Sequence, residues 1–285
     1  MTKLAVLGGG MLGSDLSALA RKSGYEVKIY DLPEFDICSP EQVSKAVSES
    51  DCIVNCAAYT AVDKAESEKE LCRKVNSEAL ALLGKQAKAA GKYVLHISTD
   101  FVFGDKGTKP LSETDAPNPL NVYGKTKLDG ERLLAETGCK NSIIRVQWTY
   151  GQNGDNFVTK ILALAKKLDS MKIVDDQIGS PTHTIDVSKA ILCFLEKRPE
   201  GLYHFAASGY ASRFETAKFI FNHMNVKTSI SPCPSSEFQT PAERPLNSRF
   251  NCEKIDKILN VPRLPWQDSL KLFLNEKYGA QSACL

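Results

Sequence analysis

The stretch VLGGGMLGSDL (6–16) limits the possible folds more than any other part of the chain. It follows an apolar run, KLAVLG (3–8), and opens an amphipathic segment. Gly8, Gly10 and Gly13 fit the spacing G-x-G-x-x-G. Glycines there permit a tight turn and let the backbone approach a pyrophosphate, while the N–H groups opening the next helix point at that anion. Glycine-rich turns are common, so the motif takes its meaning from its place, strand before and helix after. Asp31 follows the next apolar run, YEVKIY (25–30). A carboxylate at that point would hydrogen-bond the adenosine ribose and repel a 2′-phosphate, which favours NADH. DLPEFD also reads as a plain turn, and Asp36 and Ile37 fall where an adenine pocket could form.

The rest of the first half repeats the pattern. CIVNCA (52–57), YVLHIS (93–98) and SIIRVQW (142–148) are Val- and Ile-rich and apolar on both faces, as strands covered on both sides must be. Helix-like stretches (64–90, 124–137) separate them, which predicts an α/β fold, a doubly wound parallel sheet of the Rossmann kind. Beyond residue 150 the alternation loosens. Residues 155–168 and 185–196 read as helices, GLYHFA (201–206) as a late strand, and a Pro- and Ser-rich tract follows. The expected division is a dinucleotide-binding domain of 1–150 plus 183–206. A smaller, discontinuous substrate-binding lobe takes 151–182 plus 207–285.

The 285 residues carry a net charge of +2 with the basic groups dispersed, so neither a nucleic-acid nor a membrane footprint is expected. No apolar run reaches the ~18 residues of a membrane span, and the N-terminal run is too short for a signal peptide. The chain is placed in the cytoplasm. Its nine cysteines, without C-x-x-C, read as free thiols, and its four histidines do not cluster, so no metal site is expected.

VYGKTKLDGE (122–131) puts Tyr123 and Lys127 one helical turn apart. A nearby ammonium lowers a phenol's pKa and fits it to donate a proton near neutral pH. Alone, Y-x-x-x-K reads more readily as a solvated helix face. Upstream, HISTDFVFGD sets Ser98 and Thr99 at the C-terminal end of a strand, where doubly wound sheets bind ligands. A hydroxyl there can orient a carbonyl. Glycine turn, strand-end hydroxyl and Tyr–Lys pair, in this order, point to an oxidoreductase.

With these residues in place, the chain resembles the dTDP-4-dehydrorhamnose reductase family of extended short-chain dehydrogenase/reductases. The likeness rests on VNCAAYTAVDKAESE (54–68), STDFVF (98–103), ETDAPNPLNVYGKTKLDGE (113–131), GDNFV (154–158), DQIGSPT (176–182) and RPLNSRF (244–250). It implies reduction of the 4-keto group of dTDP-6-deoxy-L-lyxo-4-hexulose by NADH or NADPH. The implied catalytic set is Thr99, Tyr123 and Lys127. Gly10, Met11, Leu12, Asp31, Asp36, Ile37, Ala58, Tyr59 and Thr60 would contact the dinucleotide. Asp100 and Trp148 would line the sugar site, and Arg244, Asn247 and Ser248 would face the nucleotide diphosphate. Alternatives stay open at three positions: Trp148 as core, Arg244 paired with a surface carboxylate, and Asp63 as a helix cap. Phe101 stands where the family commonly has tyrosine, and Gln147 where it often has a small hydroxyl residue. Some members form magnesium-bridged homodimers; Asp15 could supply one ligand, but Ile185 replaces another, which argues against the metal. Two other roles fit the resemblance: reduction of another nucleotide-linked 4-keto sugar, or a non-catalytic regulatory subunit of the methionine adenosyltransferase type.

Overall fold

A computed structural model describes residues 1–104 and 107–279. The first half runs β1 (Lys3–Leu7), α1 (Met11–Lys22), β2 (Glu26–Tyr30), α2 (Pro40–Ser48) and β3 (Cys52–Asn55). Then come α3 (Val62–Ala65), α4 (Lys69–Arg73), α5 (Ala79–Ala89), β4 (Tyr93–Thr99), α6 (Val122–Glu136) and β5 (Asn141–Val146). The second half holds β6 (Thr149–Tyr150), α7 (Phe157–Ala165), β7 (Ser170–Val174), β8 (Ile178–Gly179), β9 (Thr182–His183), α8 (Thr184–Lys197) and β10 (Gly201–Phe205). It closes with β11 (Ala211–Ser212), α9 (Arg213–Met224), β12 (Ser229–Cys233), α10 (Glu253–Asp256) and α11 (Trp266–Tyr278).

Six strands form one sheet in the order β10-β5-β4-β3-β1-β2, and every pairing is parallel. The two-faced apolar character of the runs is the reason. In β1, Leu4 and Val6 enter one core with Leu16 of α1 and Ile191 of α8, whereas Ala5 and Leu7 enter another with Val43 of α2 and Leu83 of α5. The expected doubly wound sheet is therefore present, with the late strand beside β5. A third core gathers Tyr150, Ile161 of α7, Ile220 of α9 and Phe273 of α11.

Two readings change. Residues 64–90 are not one helix: α3 ends at Ala65, and a π-helical turn, Lys74–Glu78, lies between α4 and α5. There Asn76 turns its amide to Tyr59, Cys72 and Thr126, and Gly130 of α6 lets the turn come close, since a Cβ on it would stand 2.0 Å from the Asn76 carbonyl oxygen. The parallel ladder of β7 with β12 had no expected strand, because only short, partly exposed segments pair there. Among the described residues, no helix is long and apolar enough to cross a membrane.

Candidate active site

The glycine turn lies between β1 and α1. Gly8 has φ +89°, and a Cβ on Gly13 would sit 1.9 Å from the Gly8 carbonyl oxygen, so both positions require glycine. Gly10 is the N-cap of α1; it makes no side-chain cap, and a Cβ on it would meet nothing within 4 Å. The turn thus offers open space against helix N–H groups that no side chain caps, which fits a pyrophosphate. Met11 and Leu12 follow, both partly buried. Asp31 accepts from the Gly9 N–H at 2.8 Å and from the Leu32 N–H at 3.0 Å, which ties the end of β2 to the turn. Asp36 is exposed and accepts from the Cys38 N–H at 2.8 Å, while the Ile37 side chain is buried in the sheet core. Ala58, Tyr59 and Thr60 form the loop after β3. The Tyr59 N–H donates to Asn76 at 2.8 Å, so the π-helical turn sets that loop. Asn76 carried no sequence motif of its own.

Thr99, the last residue of β4, accepts from the Phe101 N–H at 3.2 Å and donates to Asp100 at 3.2 Å. Asn121 caps α6 by accepting from the Gly124 N–H at 2.8 Å, which starts the helix one residue before Tyr123. A Cβ on Gly124 would lie 2.1 Å from the Phe101 carbonyl oxygen, so glycine lets the helix start close onto the strand end. The Phe101 ring meets the Tyr123 ring edge-on, centroids 5.4 Å apart. Position 101 therefore bears directly on the phenol's placement.

Burial raises the Tyr123 pKa above the ordinary phenol value, and the Thr99 hydroxyl beside it pulls the other way. This corrects the expectation of a phenol lowered by Lys127. The buried Lys127 amine donates instead to the Ile97 carbonyl at 2.8 Å and lies 3.1 Å from His96 Nε2. Burial pushes Lys127 itself down to about 8.

A cleft of about 870 Å³ is lined by Phe157, Gln177, Arg213, Phe238 and Arg244 among others, and its Arg213 interacts electrostatically with Asp100, the residue after Thr99. Trp148 is no core residue. It is partly exposed at φ 47°, a left-handed conformation rare for a bulky side chain and typical of functional sites. Its ring carries the Arg213 guanidinium at 3.5 Å. Arg213 makes no salt bridge or side-chain hydrogen bond among the described residues, but its guanidinium is close enough to the buried Asp100 carboxylate to favour that group's charge. It went unnoticed in the sequence, although the S-x-x-E capping box of Ser212 and Glu215 marks the start of its helix.

Arg244 does pair with a carboxylate: a two-pronged bridge to Asp63 at 2.9 and 2.7 Å. Asp63 thus lies within α3 as an ion-pair partner and caps no helix. Asn247 and Ser248 are buried. Asn247 donates to the Lys109 carbonyl at 2.9 Å, and Ser248 donates to Asp100 at 2.5 Å. Asp15 is buried too and accepts from the Thr184 hydroxyl, joining α1 to α8.

The sequence profile described as the RmlD substrate binding domain matches residues 1–278. The chain is 37% identical over 266 residues to a dTDP-4-dehydrorhamnose reductase of Escherichia coli K12, covering 87% of this chain and 89% of that one. It superposes with a TM-score of 0.93 on the dTDP-4-dehydrorhamnose reductase of Bacillus anthracis, solved in complex with NADP, at 32% identity and over 96% and 99% of the two chains. A dTDP-4-dehydrorhamnose reductase of Clostridium acetobutylicum gives 0.92 at 33% identity, with the same coverage.

Proposed function

This chain belongs to the family of the RmlD substrate binding domain, with the dTDP-4-dehydrorhamnose reductases, and on that premise we propose that it reduces the 4-keto group of dTDP-6-deoxy-L-lyxo-4-hexulose to give dTDP-L-rhamnose. The observation that carries the reading is the meeting of Thr99 and Tyr123 at the C-terminal end of β4, with Lys127 one turn further along α6. Ligands of doubly wound sheets bind at that edge. The open, uncapped glycine turn fits a dinucleotide. Residues 1–150 plus 183–206 form its domain, and 151–182 plus 207–285 the sugar lobe, of which 280–285 lie outside the described residues.

When bound, the nicotinamide supplies the hydride for the keto carbon. Tyr123 gives its proton to the developing alkoxide. Because burial raises its pKa, the phenol enters the reaction loaded with that proton. Lys127, once charged, stabilises the phenolate left behind. Thr99 turns its hydroxyl from Asp100 to the keto oxygen. Gly8, Gly10, Met11, Leu12 and Gly13 receive the pyrophosphate. Ala58, Tyr59 and Thr60 flank the dinucleotide further along. Asp31 faces the adenosine ribose and favours NADH, although the Bacillus anthracis relative was solved with NADP. Asp36 and Ile37 shape the adenine end through their backbone.

Trp148, Asp100 and Arg213 face the sugar and its first phosphate. Arg244 reaches the diphosphate by leaving Asp63, while Asn247 and Ser248 hold the loop and Asp100 in place. A neighbouring reading is reduction of another nucleotide-linked 4-keto sugar. Phe101 against Tyr123, and Arg213 in the cleft without a salt bridge of its own, favour keeping it in the test. The Tyr123→Phe protein should lose turnover by about 10²–10⁴-fold with dinucleotide binding unchanged. Near-normal turnover would overturn the scheme.

A further inference from the structure

His96 is fully buried in β4 and has no part in the scheme above. Its surroundings nevertheless dictate where its proton sits. The Ala57 N–H donates to Asn55 Oδ1 at 3.0 Å, and a backbone N–H can only donate, so the Asn55 amide cannot turn over without losing that bond. Asn55 Nδ2 then faces His96 Nδ1 at 3.1 Å as a donor. Nδ1 must accept, so a neutral His96 carries its proton on Nε2. Nε2 lies 3.1 Å from Lys127 Nζ. A hydrogen bond there needs a lone pair on the lysine, which only the uncharged amine has; the amine still donates to the Ile97 carbonyl at 2.8 Å.

We propose that His96, locked by Asn55, is a positioning residue that donates its Nε2–H to the Lys127 amine and biases that lysine toward its uncharged form in the free enzyme. Lys127 then gains its charge only by giving up this bond, which leaves it ready to take a proton from solvent when the Tyr123 proton has passed to the alkoxide and the phenolate remains. That last step rests on the proposed reaction; the tautomer does not. The other groups facing Lys127 do not supply the effect. Glu131 on its own helix, Cys56 after β3 and Cys72 on α4 all favour the charged form, and Glu131 is in any case committed to Arg145. Burial brings Lys127 down to about 8, and burial together with the neighbouring Lys127 holds His96 well below its ordinary value.

The test uses the whole free protein, labelled at histidine nitrogen and lysine carbon, with Lys127→Met and His96→Gln assigning the signals. In the unsubstituted protein the His96 proton should be on Nε2. Asn55→Asp keeps the acceptor for Ala57 and offers a second acceptor to His96, so the proton should move to Nδ1. The Lys127 titration midpoint should rise by about one pH unit, the worth of one hydrogen bond. His96→Gln can present its carbonyl oxygen to the ammonium and should raise the midpoint likewise, which keeps the test alive if Asn55→Asp does not fold. A His96 proton on Nδ1 in the unsubstituted protein, or a Lys127 midpoint unmoved by the substitutions, would overturn the proposal. Neither readout involves the keto sugar, so a failure here and a failure of the proposed activity are told apart.

Discussion

The proposed reaction centre and the cleft lined by Arg213 and Arg244 are held together by different means. Around Tyr123 and at the glycine turn, backbone meets backbone: a Cβ on Gly124 would stand 2.1 Å from the Phe101 oxygen, and one on Gly13 would stand 1.9 Å from the Gly8 oxygen. At and behind the cleft, side chain meets side chain: Arg244 on Asp63, Arg213 over Trp148, and the buried Ser248 on Asp100. The first arrangement has no slack. The second can exchange partners when a charged ligand enters. Placement of reacting atoms needs the former, because small displacements at the chemistry are expensive. Recognition of a flexible nucleotide sugar can use the latter.

Gly124→Ala breaks the rigid half most directly. The added methyl must push the start of α6 away from the end of β4, and turnover should fall by about 10²-fold with dinucleotide affinity little changed. Steady-state rates and a dinucleotide titration on the same protein check this; an unaffected rate would show that the close approach does not position Tyr123.

Arg213→Met probes the cleft. If its guanidinium takes an anionic group of the sugar substrate, KM should rise by about 10–100-fold, the range of a charge-assisted hydrogen bond, with kcat much less affected. An unchanged KM would remove Arg213 from recognition.

Asp31→Asn tests the boundary, since this side chain is pinned by backbone donors of the turn. It keeps an acceptor and loses the charge, so the preference for NADH over NADPH should weaken by about tenfold or less. The ratio of kcat/KM for the two dinucleotides reads this out. A preference that survives unchanged would assign it to other groups.

The same division explains what the sequence could reveal. The sheet was legible because β1, β3 and β4 bury both faces and therefore read as unbroken apolar runs. Gly8 and Gly13 were legible because a close approach leaves a glycine behind, and Tyr123 and Lys127 because one helix carries both. The π-helical turn was not, since its extra residue answers to Asn76 reaching across to another loop. Nor were the Asp63–Arg244 bridge and the Arg213–Trp148 stack, whose partners are far apart in the chain. His96 was visible as a residue but mute as a function, because its meaning lies in the direction of a hydrogen bond set by Ala57.

The central claim is the activity itself, and it is tested by following NADH and NADPH oxidation by the unsubstituted protein across a panel of dTDP-, UDP- and GDP-linked 4-keto sugars. Oxidation with dTDP-6-deoxy-L-lyxo-4-hexulose at the highest kcat/KM of the panel, with dTDP-L-rhamnose as product, is the predicted result. No turnover of that sugar, whether another is reduced in its place or none is, would contradict the account.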